Sequence, residues 1–518
     1  LKGYVSYIRG ENPMTFPIRV MPSIFDDNNV INKMNYPKNR ISNGDKLNFL
    51  ELYGSSFKSK QKEYYEEVLS KIDLSDEKLI QIMDRSKLLQ ISNMVYPLSD
   101  GKLNYGDEGL NGCFSVRKHK KGIQYTCKNE KIDFLEINKG LEKYACKINT
   151  IIEQINNSDG IVFIYTNFIS SGVVPLILAL EYNGYKKYNS DSILNYPEYE
   201  EGINSKCEPI SYDGFRKSNP KFKDEDFNQG TYAVITGSDD NLNIDIENDL
   251  KSINDIKNKL GKTIKVIIGT TAASEGLDFK YIRSVHILEP WYHLNKLEQV
   301  IGRAIRFCSH KDLDECRRNV SIYLHCSTMG DDETIEQYLY RCSEIKAKQI
   351  GEIETILKQN AIDRFLFHKG NIYTNGKNTR LLPCDKRYWD ESWYDILNEK
   401  ENVKNNKIGK KYVKMDKPYS RICSFQDECD YLNDQLIYPD DRKVVVDTFK
   451  VNTFQSEIFM IQKKIIKLFE SEICYKLEYI EDKLSDLFDI NEDILEYTLF
   501  KMCSEKVIFT LNGINGYL

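Results

Sequence analysis

The sequence predicts an α/β fold for its middle third: a parallel sheet with helices on both faces. Two observations predict it. Short apolar runs of the fully buried kind recur, and amphipathic helical stretches separate one from the next. Strands that alternate with helices are joined by crossovers, which make them parallel and cover both sides of the sheet. IVFIY (Ile161–Tyr165) opens the series, and GVVPLILALEYNGY follows as a helix stopped at Asn183-Gly184. YAVITG (Tyr232–Gly237), a helix near Asp249–Leu260, IKVIIGT (Ile264–Thr270), SVHILEP (Ser284–Pro290), the helix carrying Arg303 and Arg306, and VSIYLH (Val320–His325) continue it. A polar, periodless stretch at about 190–230 interrupts the rhythm and reads as a surface insertion.

The flanks are patterned differently. Residues 1 to about 150 read as mixed α+β without a repeat. KLNFLELYG has strand character, KQKEYYEEVLSKI and DEKLIQIMDRSKLLQI have helical period, and CFSVRKHKKGIQYTC alternates around a Lys-Lys-Gly turn as a hairpin does. A helix is expected from about Leu141 to Ile155. Beyond about residue 332 a long helix runs through TIEQYLYRCSEIKAKQIGEIETILKQNAI, and 370–450 is polar and poorly patterned. Helical period returns with Ile480, Leu484, Leu487 and Phe488, then Ile494, Leu495, Thr498, Leu499 and Met502, before the hairpin VIFTLNGINGYL. Three helices and a two-stranded wing outline a winged helix. The expected division is an accessory region at 1–150, the parallel α/β domain at 151–345, a helical and irregular extension at 346–450 and a winged-helix-like unit at 451–518.

A chain of 518 residues with ordinary apolar content is long enough for several domains. Its net charge of −6 gives no global pull towards nucleic acid, so any such binding must come from a local patch. No run of about 18 apolar residues appears, so no membrane span is expected, and no signal peptide is recognisable. Thirteen cysteines without a CxxC pair suggest reduced thiols in a cytosolic-type compartment. The chain starts without methionine and ends inside an apparent hairpin, so both ends are expected to be cut ends.

The chemistry concentrates in EQVIGRAIR (Glu298–Arg306). Arginine carries five fixed N–H donors and a permanent charge, so two of them three residues apart suit a polyphosphate. The same spacing also occurs on any solvated helix face. Position favours the first reading. Ligands of a parallel sheet bind beyond the carboxyl ends of its strands. One strand ends at GTTAASEGLDF and its neighbour leads into EQVIGRAIR, which brings Thr270, Gly276, Asp278, Gln299, Arg303 and Arg306 to one edge of one sheet.

TTAASEGLD resembles motif V of superfamily 2 helicases, and QVIGRAIR resembles their motif VI with the Q-x-x-G-R-x-x-R spacing intact. IVFIYTNF is similar to motif IV. Over about 150–345 the resemblance is to the second RecA-like domain. LKGYVSYIRGENPMTFP, LLQISNMVYP, EPWYHLNKLEQVIGRAIRFCSHKDL and LKQNAIDRF extend it to the helicase-like ATPases of nucleocytoplasmic large DNA viruses. Those are related to the poxvirus early transcription factor small subunit and nucleoside triphosphatase I. The resemblance implies ATP with Mg2+, a DNA or RNA partner with DNA ahead, viral transcription proteins as further partners, and a place in the host cytoplasm (viral factory) or virion. It implies arginine-finger roles for Arg303 and Arg306, which would stabilise charge developing on the transferred phosphoryl group. Gln299 falls on the residue that orients the γ-phosphate or attacking water. Gly276 and Asp278 match the motif V pair near the nucleotide ribose, although a turn cap would also account for Asp278. Thr270 matches a threonine on a polymer phosphate, and Thr166, after the motif IV strand, is placed with it. Glu275 departs from the basic residue of many relatives and carries no role.

Hydrolysis in that family needs G-x-x-x-x-G-K-[ST] and D-E-x-[DH]. Gly261-Lys262-Thr263 has Ile256 at the first-glycine position, follows a helix and precedes a strand, the reverse of the order required. DECD (Asp427–Asp430) lies downstream of motif VI without a strand before it, and DDET (Asp331–Thr334) looks like a helix N-terminus. The chain is therefore expected to be a C-terminal portion, inactive alone, whose ATP site is completed by a first RecA-like domain. The competing readings are a separate non-catalytic docking or nucleic-acid-binding module, and an unrelated domain that uses the arginines for another anion. Cys384, Cys423 and Cys429 fit no zinc spacing and are expected as buried thiols. NEDILEYTLFKMCSEK sets Glu492, Asp493, Glu496 and Glu505 against Lys501 and Lys506, which suits protein contact or packing over a phosphate-lined groove.

Overall fold

Three short strands at the start of the chain, β1 (Ile18–Val20), β2 (Val30–Ile31) and β3 (Leu52–Ser56), precede helices α1 (Ser59–Leu69) and α2 (Ile82–Asn93). A small ladder, β4 (Tyr96–Pro97) with β5 (Leu103–Asn104), then α3 (Gly106–Cys113) and the antiparallel hairpin β6 (Phe114–His119) and β7 (Gly122–Cys127) follow. Helices α4 (Leu141–Tyr144) and α5 (Cys146–Asn157) lead to β8 (Ile161–Tyr165), a π turn (Ile169–Val173), α6 (Val174–Tyr182) and β9 (Lys186–Lys187). Then come β10 (Thr231–Ile235), α7 (Ile246–Asn254), β11 (Val266–Gly269), β12 (Ile282–Ile287), α8 (Leu294–Ala304), β13 (Asn319–Thr328) and α9 (Ile335–Gln359). In this computed structural model the described residues are 5–372 apart from 11–14, 25, 43, 73–81, 120–121, 131, 201–205, 223–225, 238–241, 243–244, 272–276, 315–316, 365–366 and 368–370, together with 382–383, 411–412, 416–431, 455–485 and 492–517.

The main sheet has the order β2-β3-β13-β12-β8-β11-β10-β9, and β1 shares with β3 the outer edge of β13. Every pairing in it is parallel except β2 with β3. β8 shows why its sequence is a continuous apolar run. Val162 and Ile164 enter one core with α5 and α6, while Ile161, Phe163 and Tyr165 enter the other with α8. Successive strand residues face opposite sides, and here both sides are covered, so each side chain gains about 1.5–3 kcal/mol from burial.

Several expectations need correction. The N-terminal region is no separate accessory piece, because β1 and β3 extend the central sheet. The chain falls into two compact units, Leu1–Asn433 and Asp434–Leu518. The helix expected over 141–155 breaks at Ala145 (φ −153, ψ 67), where the buried Gln61 Oε1 accepts from Cys146 N at 2.9 Å and starts α5 afresh. The insertion at 190–230 is anchored: Ile193, Leu194 and Ile210 are buried, and the Glu181 carboxylate accepts from the backbone of Ile193 (2.9 Å) and Leu194 (2.6 Å). Cys423 and Cys429 are joined as a disulfide rather than standing as thiols, and Cys384 lies outside the described residues.

The second unit contains α10 (Gln455–Phe469), α11 (Leu477–Ser485), α12 (Glu492–Glu505) and a hairpin, β16 (Ile508–Leu511) with β17 (Ile514–Tyr517); the intervening β14 (Leu382–Pro383) and β15 (Lys411–Tyr412) pair in the first unit. Three helices followed by a hairpin is the element order read from the sequence. Asn512 and Gly513 both have positive φ (50° and 81°), as a two-residue hairpin turn requires. Ile458, Ile461, Ile465, Ile480, Leu484, Ile494, Leu495 and Met502 form its core. Leu487 and Phe488 lie outside the described residues, as do the side chains of Glu492 and Asp493.

Candidate functional site

The parallel register lines up Ile235, Gly269, Tyr165 and Ile287 on β10, β11, β8 and β12, so these strands deliver their following loops to one edge. α8 grows from the loop after β12. Leu294, Leu297, Val300, Ile301 and Ala304 are its buried face, spaced to pack on the sheet, while Gln299 is exposed and Arg303 half-buried one turn later. The helix ends at Ala304 because Ile305 turns to extended backbone (φ −104, ψ 90) and buries its side chain. Arg306 therefore lies beyond the helix, not on it as the i, i+3 spacing suggested.

That exit brings the two arginines to the loop after β11. Arg303 Nη1 donates to the Leu277 carbonyl at 3.3 Å, and Arg306 Nη1 lies 2.6 Å from Asp278 Oδ1 while its Nε donates to Gly302 O at 3.2 Å. Phe279, next in the chain, packs its ring 5.1 Å from Phe163 and fixes this loop to β8. Asp278, Arg303 and Arg306 thus form one cluster, with Gln299 on the same helical face as Arg303. Gly276 lies outside the described residues. The Arg306 and Asp278 side chains are 38% and 64% exposed, and a pair that exposed is worth about 0–1 kcal/mol. Another anion can take the guanidinium at little cost.

The two threonines are placed otherwise than expected. Thr166 is fully buried, and its hydroxyl donates to the Glu289 carboxylate at 3.0 and 3.1 Å, so it faces inward rather than towards a polymer. Gly172 lies so close to Thr166 that a Cβ there would overlap the hydroxyl. Thr270 is also buried, its backbone N–H donating to Ile235 O at 3.2 Å. Gly261-Lys262-Thr263 is a helix end, as its order in the sequence indicated: Gly261 has φ +75, and Asn258 Oδ1 accepts from Thr263 N and Ile264 N, both at 2.9 Å. Thr334 caps α9 in a capping box with Gln337, which accounts for DDET.

Beneath the edge runs a buried polar network that the sequence reading missed. Glu289 also accepts from Asn167 N and from Asn93 Nδ2 (3.2 Å). Lys147 Nζ donates to Asn93 Oδ1 and Leu288 O, each at 2.7 Å, and pairs with Glu336. Glu336 in turn accepts from Ser327 N at 2.7 Å. Burial pushes the Glu289 carboxyl above its ordinary range, and the neighbouring Lys147 ammonium opposes that rise. The network ties α2, α5, α9 and the loops after β8 and β12 into one support. A carboxylate directly after Ile287 and Leu288 at the end of a buried strand, in HILEP, was the available signal, since an isolated buried charge is too costly to stand without partners.

Residues 225–308 match the helicase conserved C-terminal domain. Two putative ATP-dependent RNA helicases of Acanthamoeba polyphaga mimivirus are 26% identical over 377 residues and 25% identical over 492. These similarities cover 72% and 83% of this chain but 51% and 40% of the relatives. Nucleoside triphosphatase I of Amsacta moorei entomopoxvirus is 34% identical over 103 residues, 20% of this chain and 16% of its own. The chain spans about half, or less, of the length of the curated relatives it matches.

Proposed function

With a superfamily 2 helicase C-terminal domain that resembles those of large DNA virus helicases as the premise, we propose that this chain supplies one wall of an ATP-hydrolysing site in a nucleic-acid-dependent viral helicase or translocase. The opposite wall is a first RecA-like domain, since these residues contain neither the phosphate loop nor the D-E-x-[DH] stretch such hydrolysis needs. The observation that carries the reading is the Asp278–Arg306 pair beside the Arg303–Leu277 contact. A carboxylate already sits against the Arg306 guanidinium, so the site accepts an oxyanion, and the same fork fits a γ-phosphate. Closure of the two walls would draw Arg306 from Asp278 onto the phosphoryl group, where its charge offsets that of the transition state. In this reading Gln299, exposed one turn before Arg303, orients the attacking water, and Asp278, once released, accepts from the ribose. The Mg2+ ligands are assigned to the D-E-x-[DH] stretch of the first domain.

In a protein that includes the first domain, Arg306→Ala is expected to lower kcat by about 10³-fold or more while changing nucleotide affinity far less, and Arg306→Lys not to restore it. Turnover left intact, with only polymer binding weakened, would assign the arginines to the polymer instead. The 518-residue chain alone should show no nucleic-acid-stimulated ATPase. Turnover that Lys262→Ala abolishes would overturn the assignment of the phosphate loop to another domain.

A further inference from the structure

A single-sign charged patch stands where the ATP site makes no use of it. β6 and β7 pair from Phe114↔Cys127 to His119↔Gly122. The root of this hairpin is packed: Phe114, Ile123 and Tyr125 lie in the same core as Val162 and Ile164, and Tyr125 exchanges backbone hydrogen bonds of 2.8 Å with Ile193 and Asn195. Its outer half is not. Ser115, Val116, Arg117, Lys118 and His119 are all exposed, and since alternate strand residues face opposite ways, both faces of β6 stand in solvent. The side chains of Arg117, Lys118 and His119 have no hydrogen-bond or ion-pair partner among the described residues. Lys120 and Lys121 follow in the sequence, so five consecutive residues are cationic or imidazole in a chain of net charge −6.

Solubility alone would be served by polar residues of either sign. Like charges crowded on one strand repel each other, so the cluster serves an anionic partner. Its position says which. The hairpin continues directly from α3, and α3 is fastened to the turn Ile169–Val173 by the Ser170 hydroxyl donating to Asp107. The Tyr96 hydroxyl donates to the Ser170 carbonyl beside it. That turn follows the loop after β8, at the carboxyl edge of the sheet. A lipid surface would call for bulky apolar groups among the charges, and Val116 is the one on exposed β6.

We propose that the Phe114–Cys127 hairpin is a contact for the phosphate backbone of the nucleic acid, made through Arg117, Lys118 and His119 without reading base sequence. It rests on the helicase reading for the presence of a polymer. The test uses the full 518-residue chain and fluorescein-labelled oligothymidylate and oligouridylate of about twenty residues, with anisotropy followed from about 50 to 200 mM salt. Arg117→Ala/Lys118→Ala should bind about tenfold more weakly at the lowest salt, with a slope of log K against log salt flatter by about 1.4, since each phosphate contact on a single strand contributes about 0.7. Arg117→Lys/Lys118→Arg should bind as the parent does. Unchanged affinity and slope in the alanine variant would overturn the hairpin contact and leave the ATP-site reading intact. A parent chain that binds neither oligomer would overturn it too, while the ATP-site reading is decided by the Arg306 variants. Loss of binding to phosphatidylserine vesicles, with oligomer binding unchanged, would reassign the patch to a lipid surface.

Discussion

His286 and His325 lie on the neighbouring strands β12 and β13 with Nδ1 and Nε2 2.9 Å apart, and His286 stacks on Tyr323 at 4.2 Å. Their outer nitrogens, His286 Nε2 and His325 Nδ1, are buried without a hydrogen-bond partner among the described residues. Burial holds His286 down to about 3, His310 down to about 4, and His325 well below its ordinary value of 6.5. The unfolded chain takes up protons near 6.5, whereas these buried rings do not. Their contribution is therefore complete above pH 6.5 and is lost as the pH falls from there towards 4 and 3. Each tenfold drop in proton affinity corresponds to about 1.4 kcal/mol. Thermal unfolding should show Tm falling steeply between pH 6.5 and 4, and His286→Phe/His325→Leu should make that fall shallower. An equal slope in the double variant would transfer the acid sensitivity to the carboxylates.

α9 was legible from its period and cap, but not its partner. Gly351 sits in the helix interior, where a Cβ would overlap the Ser424 carbonyl oxygen, and Lys358 Nζ donates to Ile422 O (2.9 Å) and Ser424 Oγ (2.6 Å). Alanine is favoured over glycine in an exposed helix by about 1 kcal/mol. Here Gly351→Ala should instead destabilise the first unit by about 1–3 kcal/mol and displace the Cys423–Cys429 loop, read as a lower urea midpoint. A raised midpoint would show that the loop does not depend on this close approach. The same split between local pattern and tertiary context runs through the site. The sheet-edge position of Asp278, Arg303 and Arg306 follows from apolar runs and spacing, which are local. The end of α8 at Ala304, the inward turn of Thr166 and the Glu289–Lys147–Glu336 network depend on what packs against them, and no window of sequence contains that partner.

At the scale of the molecule, the pairing of the first strands with the central sheet was hidden for the same reason. β1 and β3 are short, and the strand they pair with is distant in sequence. The Glu344 carboxylate of α9 accepts from the backbone of Asn48, Phe49 and Leu50 at 2.7, 2.8 and 2.7 Å, and holds that segment to the sheet. Residues 151–345 expressed alone should aggregate, because the outer edge of β13 would be left open. Residues 1–433 should be soluble and unfold in one cooperative transition. A soluble, cooperatively melting 151–345 fragment would show that the N-terminal strands are dispensable.

The parallel register of β3 with β13 also bears on how the chain is made. Ser56 pairs with Thr328, some 270 residues later, a delay of roughly a quarter to a full minute of synthesis at ordinary elongation rates. Throughout that interval Leu52 and Tyr53, both fully buried in the finished sheet, have only the two-residue strand β2 to pair with, and the other edge of β3 stays open. On the ribosome β3 is an apolar strand awaiting its second neighbour, a natural client for a chaperone that binds extended segments until β13 emerges.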